Sequence, residues 1–566
     1  MNYIYKNKFP FLLLFTLIFL IGFLSRIDSL KNHFTHVDDI GVAKVIIDSK
    51  NNPIIKNIFD KNHENYNNKY KIIIRENFNE DSKILKFLRN VFPFVSVSFY
   101  YSYSPIQFIF TNILLEFSDN YEEIKIFGRI PSLIFSILSF IIFYNLGKKI
   151  FNKDEKYILL FCVSIFYLSW EYIFISSLMH NYSLGILSIL IILNNYIFSK
   201  KGLNDLNNLF TKKKAIILAI LFYCSYQVLI PIIAFGLYTV LIKIKKNDNF
   251  LDKKFFNFFL IVGILILPGL IWISVSDFGS ISVNSWNSGK NGIFYFQISN
   301  LENISYFFSF FFKNFYYIFS RSLSFFPENN YFFNFVFLVL LVIVIFGIID
   351  TYREKNEIKT NFIIFSSFIF LVWLVLVFFN KLTLSPTRHS IILLPIFLIF
   401  LGYGLIAVSK LLIQLKAKKF NSFFQFFLIF FVIFNFIYFY KDVTDQRLSL
   451  INENKFLTIL KNHDVSNVII YDEHFVDMYL MPSLIKNNIN VSNYEIEITD
   501  KTKNISFISA KNPILDKNLN FLNINQEKWN LIYSSKIFLG GEIEYSNLTT
   551  NRPNQFYHYI YSRSLY

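Results

Sequence analysis

The sequence predicts an all-α polytopic membrane protein with about eleven transmembrane helices, followed by a small C-terminal α/β domain. Three observations predict it. The 566 residues are 54% hydrophobic with a mean hydropathy of +0.42. Many of the apolar residues fall in runs of 16 to 22, close to the length at which a helix crosses a bilayer. Beyond about residue 440 the long runs stop and a different rhythm begins.

The first apolar run, Phe9 to Leu24, follows Lys6 and Lys8 and has no small-residue cleavage site before Arg26. It therefore reads as an uncleaved first span rather than a signal peptide. The spans expected in order are 9–25, 129–147, 157–176, 182–199, 215–228, 231–243, 255–275, 331–350, 361–380, 391–409 and 423–440. The two short runs within 215–243 read as a hairpin or broken pair interrupted near Tyr226-Gln227 and Pro231.

The loops orient these spans. With a cytoplasmic N-terminus, the inner segments hold about 23 basic residues, including Lys148, Lys149, Lys212, Lys213, Lys214 and Lys359. The short outer loops hold 5: Lys290, Lys313, Arg321, Lys381 and Arg388. This positive-inside asymmetry predicts a multi-pass protein of the plasma (inner) membrane with its C-terminal segment extracytoplasmic. It also accounts for the net charge of +16 without nucleic acid as a partner. Cys162 and Cys224 lie inside apolar runs, where they read as small buried hydrophobes rather than disulfide or metal ligands.

Residues 1–440 then form a transmembrane domain with two large outer loops, at 26–128 and 276–330, and residues 441–566 form an extracytoplasmic domain. Pro105 to Phe117 is apolar but too short to cross, so it is expected to lie in the interface, and 305–326 reads the same way. In the tail, 451–462 reads as helix, Val465 to Tyr471 as strand and 476–486 as helix.

Four places could carry chemistry. Asp38 and Asp39 stand in His33-Phe34-Thr35-His36-Val37-Asp38-Asp39, at the mouth of the bilayer. Adjacent carboxylates point in different directions and can divide labour, one taking a proton and the other binding a divalent metal ion or a polar substrate group. Capping of a helix over Ile40 to Ile47 is an equally local explanation. Glu171 lies about 7–8 Å inside its span at the helical rise, a depth that demands water, a cation or a partner. The turn from Ser176 through His180 and Tyr182 to Ser183 has no Lys or Arg and suits either a sugar pocket or a plain solvated turn. Arg388, beside His389, sits at headgroup level, where a guanidinium matches a lipid phosphate or simply snorkels.

The order of these features resembles a known family. An outer-loop acidic pair is followed by Tyr103-Ser104-Pro105-Ile106-Gln107-Phe108, then by Phe127-Gly128-Arg129-Ile130-Pro131-Ser132 opening a span that closes with Gly147-Lys148-Lys149. Tyr182-Ser183 and Pro386-Thr387-Arg388-His389 follow. The series resembles the GT-C glycosyltransferases, in particular the group of protein O-mannosyltransferases and lipid A aminoarabinose transferases, over residues 9–410. The resemblance implies transfer of a sugar, with inversion, from a polyprenyl-phosphate donor to a protein, lipid or glycan acceptor at the extracytoplasmic face. It implies Asp38 as general base, with Asp39 where a Glu is commoner. Taken with the chemistry of the residues, the expectation is that Asp39 helps bind a metal or the acceptor, Arg388 binds the leaving lipid phosphate, and Glu171, His180 and Tyr182 line the sugar pocket. The chain departs from the family at Ser104-Pro105, where Pro-Pro is usual, and at Leu178 and His180, which stand for the turn's usual Glu and Arg.

A lipid-linked sugar flippase or transporter is the rival reading. It would call for charges near the midplane and repeated halves, whereas the predicted spans carry almost no charge apart from Glu171 and show no internal repeat.

Overall fold

A computed structural model of the chain describes residues 2–32, 104–115, 117–118, 121–197, 210–245, 253–275, 331–379, 390–446, 453–471, 480, 483–484, 487–492, 503–509, 529–538 and 555–563. The expected interfacial stretch 305–326 and the rest of the 276–330 loop lie outside them.

Helices fall on all the apolar runs: α1 (Asn2–Asn32), α3 (Tyr121–Ile150), α4 (Lys156–Leu168), α5 (Trp170–Ser176), α6 (Tyr182–Ile192), α7 (Lys212–Cys224), α8 (Leu229–Lys245), α9 (Lys253–Val275), α10 (Tyr331–Arg353), α11 (Glu357–Phe378), α12 (Leu394–Gln414) and α13 (Lys418–Gln446). A short helix, α2 (Pro105–Leu115), precedes α3. Among the described residues, six stretches are both long and apolar enough to cross a membrane: Pro10–Asn32, Glu122–Ile150, Tyr226–Lys245, Lys253–Ile271, Glu357–Phe378 and Ile391–Gln414. Large apolar side chains such as Leu12, Ile264, Phe335, Val342 and Phe434 point outward, as they do where the surroundings are lipid. The chain is an integral membrane protein.

At the centre of the bundle, α12 is almost wholly buried. It meets α10 where Gly347 faces Gly404, and a Cβ on Gly347 would fall 2.2 Å from the Gly404 nitrogen. Backbone-to-backbone approach of this kind is what glycine permits between membrane helices, where packing replaces the hydrophobic drive.

Two predicted spans differ in detail. The run 157–176 is not one helix, because it breaks at Ser169 into α4 and α5. The run from 182 ends in a π-helical turn, Leu193–Ile197. The pair at 215–243 is interrupted by the 3-10 turn Tyr226–Val228, while Pro231 sits in the first turn of α8, where the missing N–H breaks no helical bond.

Connectivity sorts the helix termini to two ends of the bundle. One end gathers Asn32, Ser104, Tyr121, the 177–181 turn, Ser225 and Ser390, joined by contacts such as Ser104 Oγ to Cys224 O at 2.9 Å. Tyr440 ties α13 to α1 here, its hydroxyl 3.1 Å from Asp28 Oδ2. The opposite end gathers the short connections at 151–155, 354–356 and 415–417, and ion pairs close it. Lys359 Nζ lies 3.0 Å from Glu155 Oε1, Lys410 Nζ lies 2.8 Å from Asp350 Oδ2, and Lys410 also pairs with Glu354.

After α13 come α14 (Glu453–Asn462) and a five-stranded sheet of β1 (Val465–Tyr471), β2 (Asn490–Ser492), β3 (Asn504–Ser509), β4 (Trp529–Phe538) and β5 (Gln555–Arg563), in the order β2-β1-β3-β5-β4. β1 runs parallel to β2 and β3, whereas β5 is antiparallel to β3 and β4. Strand alternation sends Val468, Ile470, Ile508 and Ile560 to one face with Phe456 and Leu460 of α14, and Ile469, Ile505, Phe507 and Tyr559 to the other. Of the helix expected over 476–486, the described residues are Leu480, Ser483 and Leu484, and both leucines join the α14 side. Lys125 of α3 and Glu453 of α14 form a buried ion pair at 2.6 Å that fastens this unit to the bundle.

Candidate functional site

Asp38, Asp39 and Arg388 lie outside the described residues. The other three candidates, Glu171, His180 and Tyr182, are buried at the bundle end where α1 finishes.

The 177–181 turn is held from three helices. Ser29 of α1 donates to Ser177 Oγ at 2.7 Å. Ser132 of α3 lies 2.5 Å from Leu178 O and 3.1 Å from His180 O, so its single proton serves the two carbonyls alternately. Gln107 Nε2 of α2 donates back to Ser132 Oγ at 3.1 Å. Gly128 makes room for the turn, since a Cβ there would fall 2.5 Å from Met179 Sδ.

A chain of hydrogen bonds then fixes the histidine. Ser104 Oγ donates to Cys224 O, so it accepts from Asn181 Nδ2. That sets the amide so that Oδ1 faces His180 Nδ1 at 3.0 Å, and Nδ1 must carry the proton. In the neutral ring Nε2 therefore carries the lone pair. The imidazole stacks on Tyr182 with centroids 4.3 Å apart and 7° between planes, and Phe108 of α2 packs edge-on at 6.4 Å. His180 and Tyr182 are thus brought together as one rigid aromatic pair on the α6 start.

The helix α2 is inverted relative to a water-exposed amphipathic helix. Ser104, Gln107 and Thr111 are buried, whereas Phe110, Ile113 and Phe117 point out. The side chains that would solvate an interfacial helix instead feed the polar layer beneath it.

Two arginines complete this end. Arg129 Nη1 donates to Ser29 O and Leu30 O, at 3.3 and 3.1 Å, near the C-terminal end of α1. Arg26 is 1% exposed, lies 4.0 Å from the Tyr167 ring centroid and 5.2 Å from that of Tyr172, and donates to Tyr167 O at 3.0 Å, Gly22 O at 2.9 Å and Ser136 Oγ at 3.2 Å. Each cation thereby meets the negative end of a helix, α1 for Arg129 and α4 for Arg26. Glu171 stands in the first turn of α5, just past the break, where a carboxylate meets the positive end of a helix.

Sequence reasoning quoted Ser104, Gln107, Arg129 and Ser132 only as parts of motifs and gave Arg26 no role. An Arg four residues after a Gly at the edge of an apolar run was the available signal, since Gly22 is what admits the Tyr167 ring, 2.5 Å from where its Cβ would be. Among the described residues no three His, Cys, Asp or Glu side chains converge as a metal site would require.

No family model and no curated protein matches the chain. Among solved structures it is similar to ArnT from Cupriavidus metallidurans in the apo state, at 9% identity and a TM-score of 0.41 over 98% of each chain. It is also similar to the same ArnT bound to undecaprenyl phosphate, at 8% identity and a TM-score of 0.41 over 96% of this chain and 97% of that one.

Proposed function

We propose that the protein is a membrane glycosyltransferase that moves a sugar from a polyprenyl-phosphate donor to a hydroxyl of a protein, lipid or glycan. The observation that carries the reading is the convergence, at one end of a membrane bundle, of hydroxyl, amide and stacked aromatic groups with the chain segments that lead to both candidate charges. Asp38 is six residues beyond Asn32, within about 20 Å of the α1 end by covalent reach alone. Arg388 is two residues before Ser390, which precedes the 3-10 turn Ile391–Leu393 packed beside α6.

In this reading Asp38 removes the acceptor O–H proton as the acceptor oxygen bonds to the sugar C1. The bond from C1 to the phosphate oxygen breaks from the opposite side, giving inversion, and polyprenyl phosphate leaves with the electron pair. Arg388 neutralises that leaving charge with its planar fork. Glu171 and the His180–Tyr182 pair line the sugar pocket, offering hydrogen bonds and a ring face. General-base assistance of this kind contributes about 10²–10⁴-fold, and positioning of donor and acceptor supplies the rest. Asp39 is the residue that would hold a divalent metal, and no step above depends on one.

The lysine-rich end that carries Lys149, Lys213, Lys245 and Lys359 faces the cytoplasm in this proposal, which sets the site, the C-terminal sheet and residues 441–566 on the extracytoplasmic side. The test is transfer from a panel of radiolabelled polyprenyl-phosphate sugars in proteoliposomes. Turnover by the wild type, lost in Asp38→Asn while donor still binds, supports the transferase. Donor crossing the bilayer without transfer would replace it with the flippase.

A further inference from the structure

The span expected over 157–176 is interrupted without a glycine or proline, in Ile165-Phe166-Tyr167-Leu168-Ser169-Trp170-Glu171. A helix broken inside a bundle leaves carbonyls at the end of one piece and N–H groups at the start of the next without helical partners, and within a membrane each orphan is costly. Here the helical bonds run from Ser169 N to Ile165 O at 2.9 Å and resume from Ile173 N to Ser169 O at 3.0 Å. In an unbroken helix Tyr167 O would accept from the Glu171 N–H. Instead it accepts from Arg26 Nη1, at 3.0 Å, across the interface with α1.

The arginine is built for that task. Its guanidinium lies over the Tyr167 ring, its Nε is fixed by Ser136 of α3, and its other Nη1 acceptor is Gly22 O in its own helix. No carboxylate among the described residues forms an ion pair with it, so its charge is met by carbonyls, one of them at the end of α4, and by the Tyr167 and Tyr172 rings. Arg26 and the break therefore stabilise each other. Without the cation the α4 terminus loses its cap, and without the break Tyr167 O is occupied.

We infer that Arg26 is a positioning residue, which holds the α4–α5 break at Ser169 and so fixes the backbone from which Glu171 projects. The inference rests on the transferase reading for its effect on turnover, but its structural part stands apart from that reading.

The experiment uses the full-length protein in nanodiscs, comparing wild type, Arg26→Gln, Arg26→Lys and Tyr440→Phe. The last removes a part-buried polar tie between α13 and α1, made to Ser25 O and Asp28 rather than to the α4 terminus. Hydrogen exchange at the Ser169, Glu171 and Ile173 amides is read first. The expected result in Arg26→Gln is a change of at least tenfold at one or more of them, either faster exchange at Ser169 and Ile173 as the uncapped ends fray or slower exchange at Glu171 as the helix closes onto Tyr167 O, with partial recovery in Arg26→Lys and the wild-type pattern in Tyr440→Phe. The wild-type pattern at all three amides in Arg26→Gln, or the same change in Tyr440→Phe, would overturn the inference. Should Arg26→Gln fail to fold, Arg26→Lys decides alone, since it keeps the charge but cannot reach Ser136, Gly22 and Tyr167 together.

Turnover is read second, on folded protein, in the presence and absence of Glu171→Gln. A positioning role predicts a kcat about tenfold lower in Arg26→Gln, with donor KM within threefold, and little further loss when Glu171→Gln is already present. Fully multiplicative losses would mean that Arg26 does not act through Glu171. Wild type that transfers no sugar would remove the transferase reading, and the exchange measurement would still decide whether Arg26 holds the break.

Discussion

The two ends of the bundle are built from different chemistry. At the lysine-rich end, charges meet charges: Lys359 with Glu155 and Glu354, Lys410 with Asp350 and Glu354, and Glu155 also with the Asn152 N–H at 2.8 Å. At the other end one buried ion pair, Lys125 with Glu453, fastens the C-terminal unit, and the buried polar groups around the 177–181 turn are mostly hydroxyls, amides, an imidazole and two arginines bound to carbonyls. Among the described residues, Gln107 Oε1, Thr111 Oγ1 and Ser183 Oγ have no hydrogen-bond partner. One end fastens four helices. The other accepts a helix break and a connected layer of hydroxyls and amides, which is the pattern of a surface organised for something other than fastening alone.

If that contrast is right, damage to the fastening should appear as lost protein and damage to the polar end as lost function. The largest effect is expected at the α10–α12 crossing. Gly347→Val should yield no folded protein by size-exclusion chromatography, because the nearest atoms are Gly404 and Tyr403 backbone and cannot yield. Next, Lys359→Met leaves Glu155 without its buried partner and should cost about 3 kcal/mol, read as a lower thermal midpoint with turnover per folded molecule unchanged.

A smaller, pH-dependent effect belongs to the C-terminal sheet. His558 is buried against Phe456 and Tyr533, with its Nε2 2.9 Å from Ser506 Oγ, and burial, with His463 nearby, holds its imidazole down at about 3. The unfolded chain protonates at the ordinary value of about 6.5, so the sheet is fully stable above that pH. Its folding equilibrium should fall roughly tenfold per pH unit as acid is added from 6.5 towards 3. Limited proteolysis at pH 5.5 and pH 7.5 measures this, and His558→Phe should flatten the dependence. The smallest change in stability is expected from Ser132→Ala, about 1 kcal/mol, yet it frees the Leu178 and His180 carbonyls and should lower turnover more than it lowers the thermal midpoint.

The long apolar runs were legible because a bilayer demands them, and β1 and α14 were legible from local pattern alone. The break at Ser169 was not. Nothing in Phe166-Tyr167-Leu168-Ser169 interrupts a helix, and the interruption is sustained by Arg26, 141 residues away in sequence. The same reason hid Arg26 itself, which looks like the flank of an apolar run until α1 is seen to continue to Asn32. Glu171, His180 and Tyr182 stand out in the sequence because polar groups near the end of a span are conspicuous in an apolar chain, and the fold buries all three at one end. The hydroxyl and amide layer of Ser104, Gln107 and Ser132 does not stand out, since one Ser or Gln among many carries no local signal of burial. The sheet order, with β5 inserted between β3 and β4, depends on pairings that strand patterns leave open.

The most direct test compares Asp38→Asn with Lys359→Met for sugar transfer from polyprenyl-phosphate donors, each at a matched amount of folded protein in proteoliposomes. The account predicts that Asp38→Asn loses at least a hundredfold in turnover at an unchanged thermal midpoint, whereas Lys359→Met melts earlier and turns over normally. Full activity in Asp38→Asn, or an equal loss of turnover in both, would contradict it.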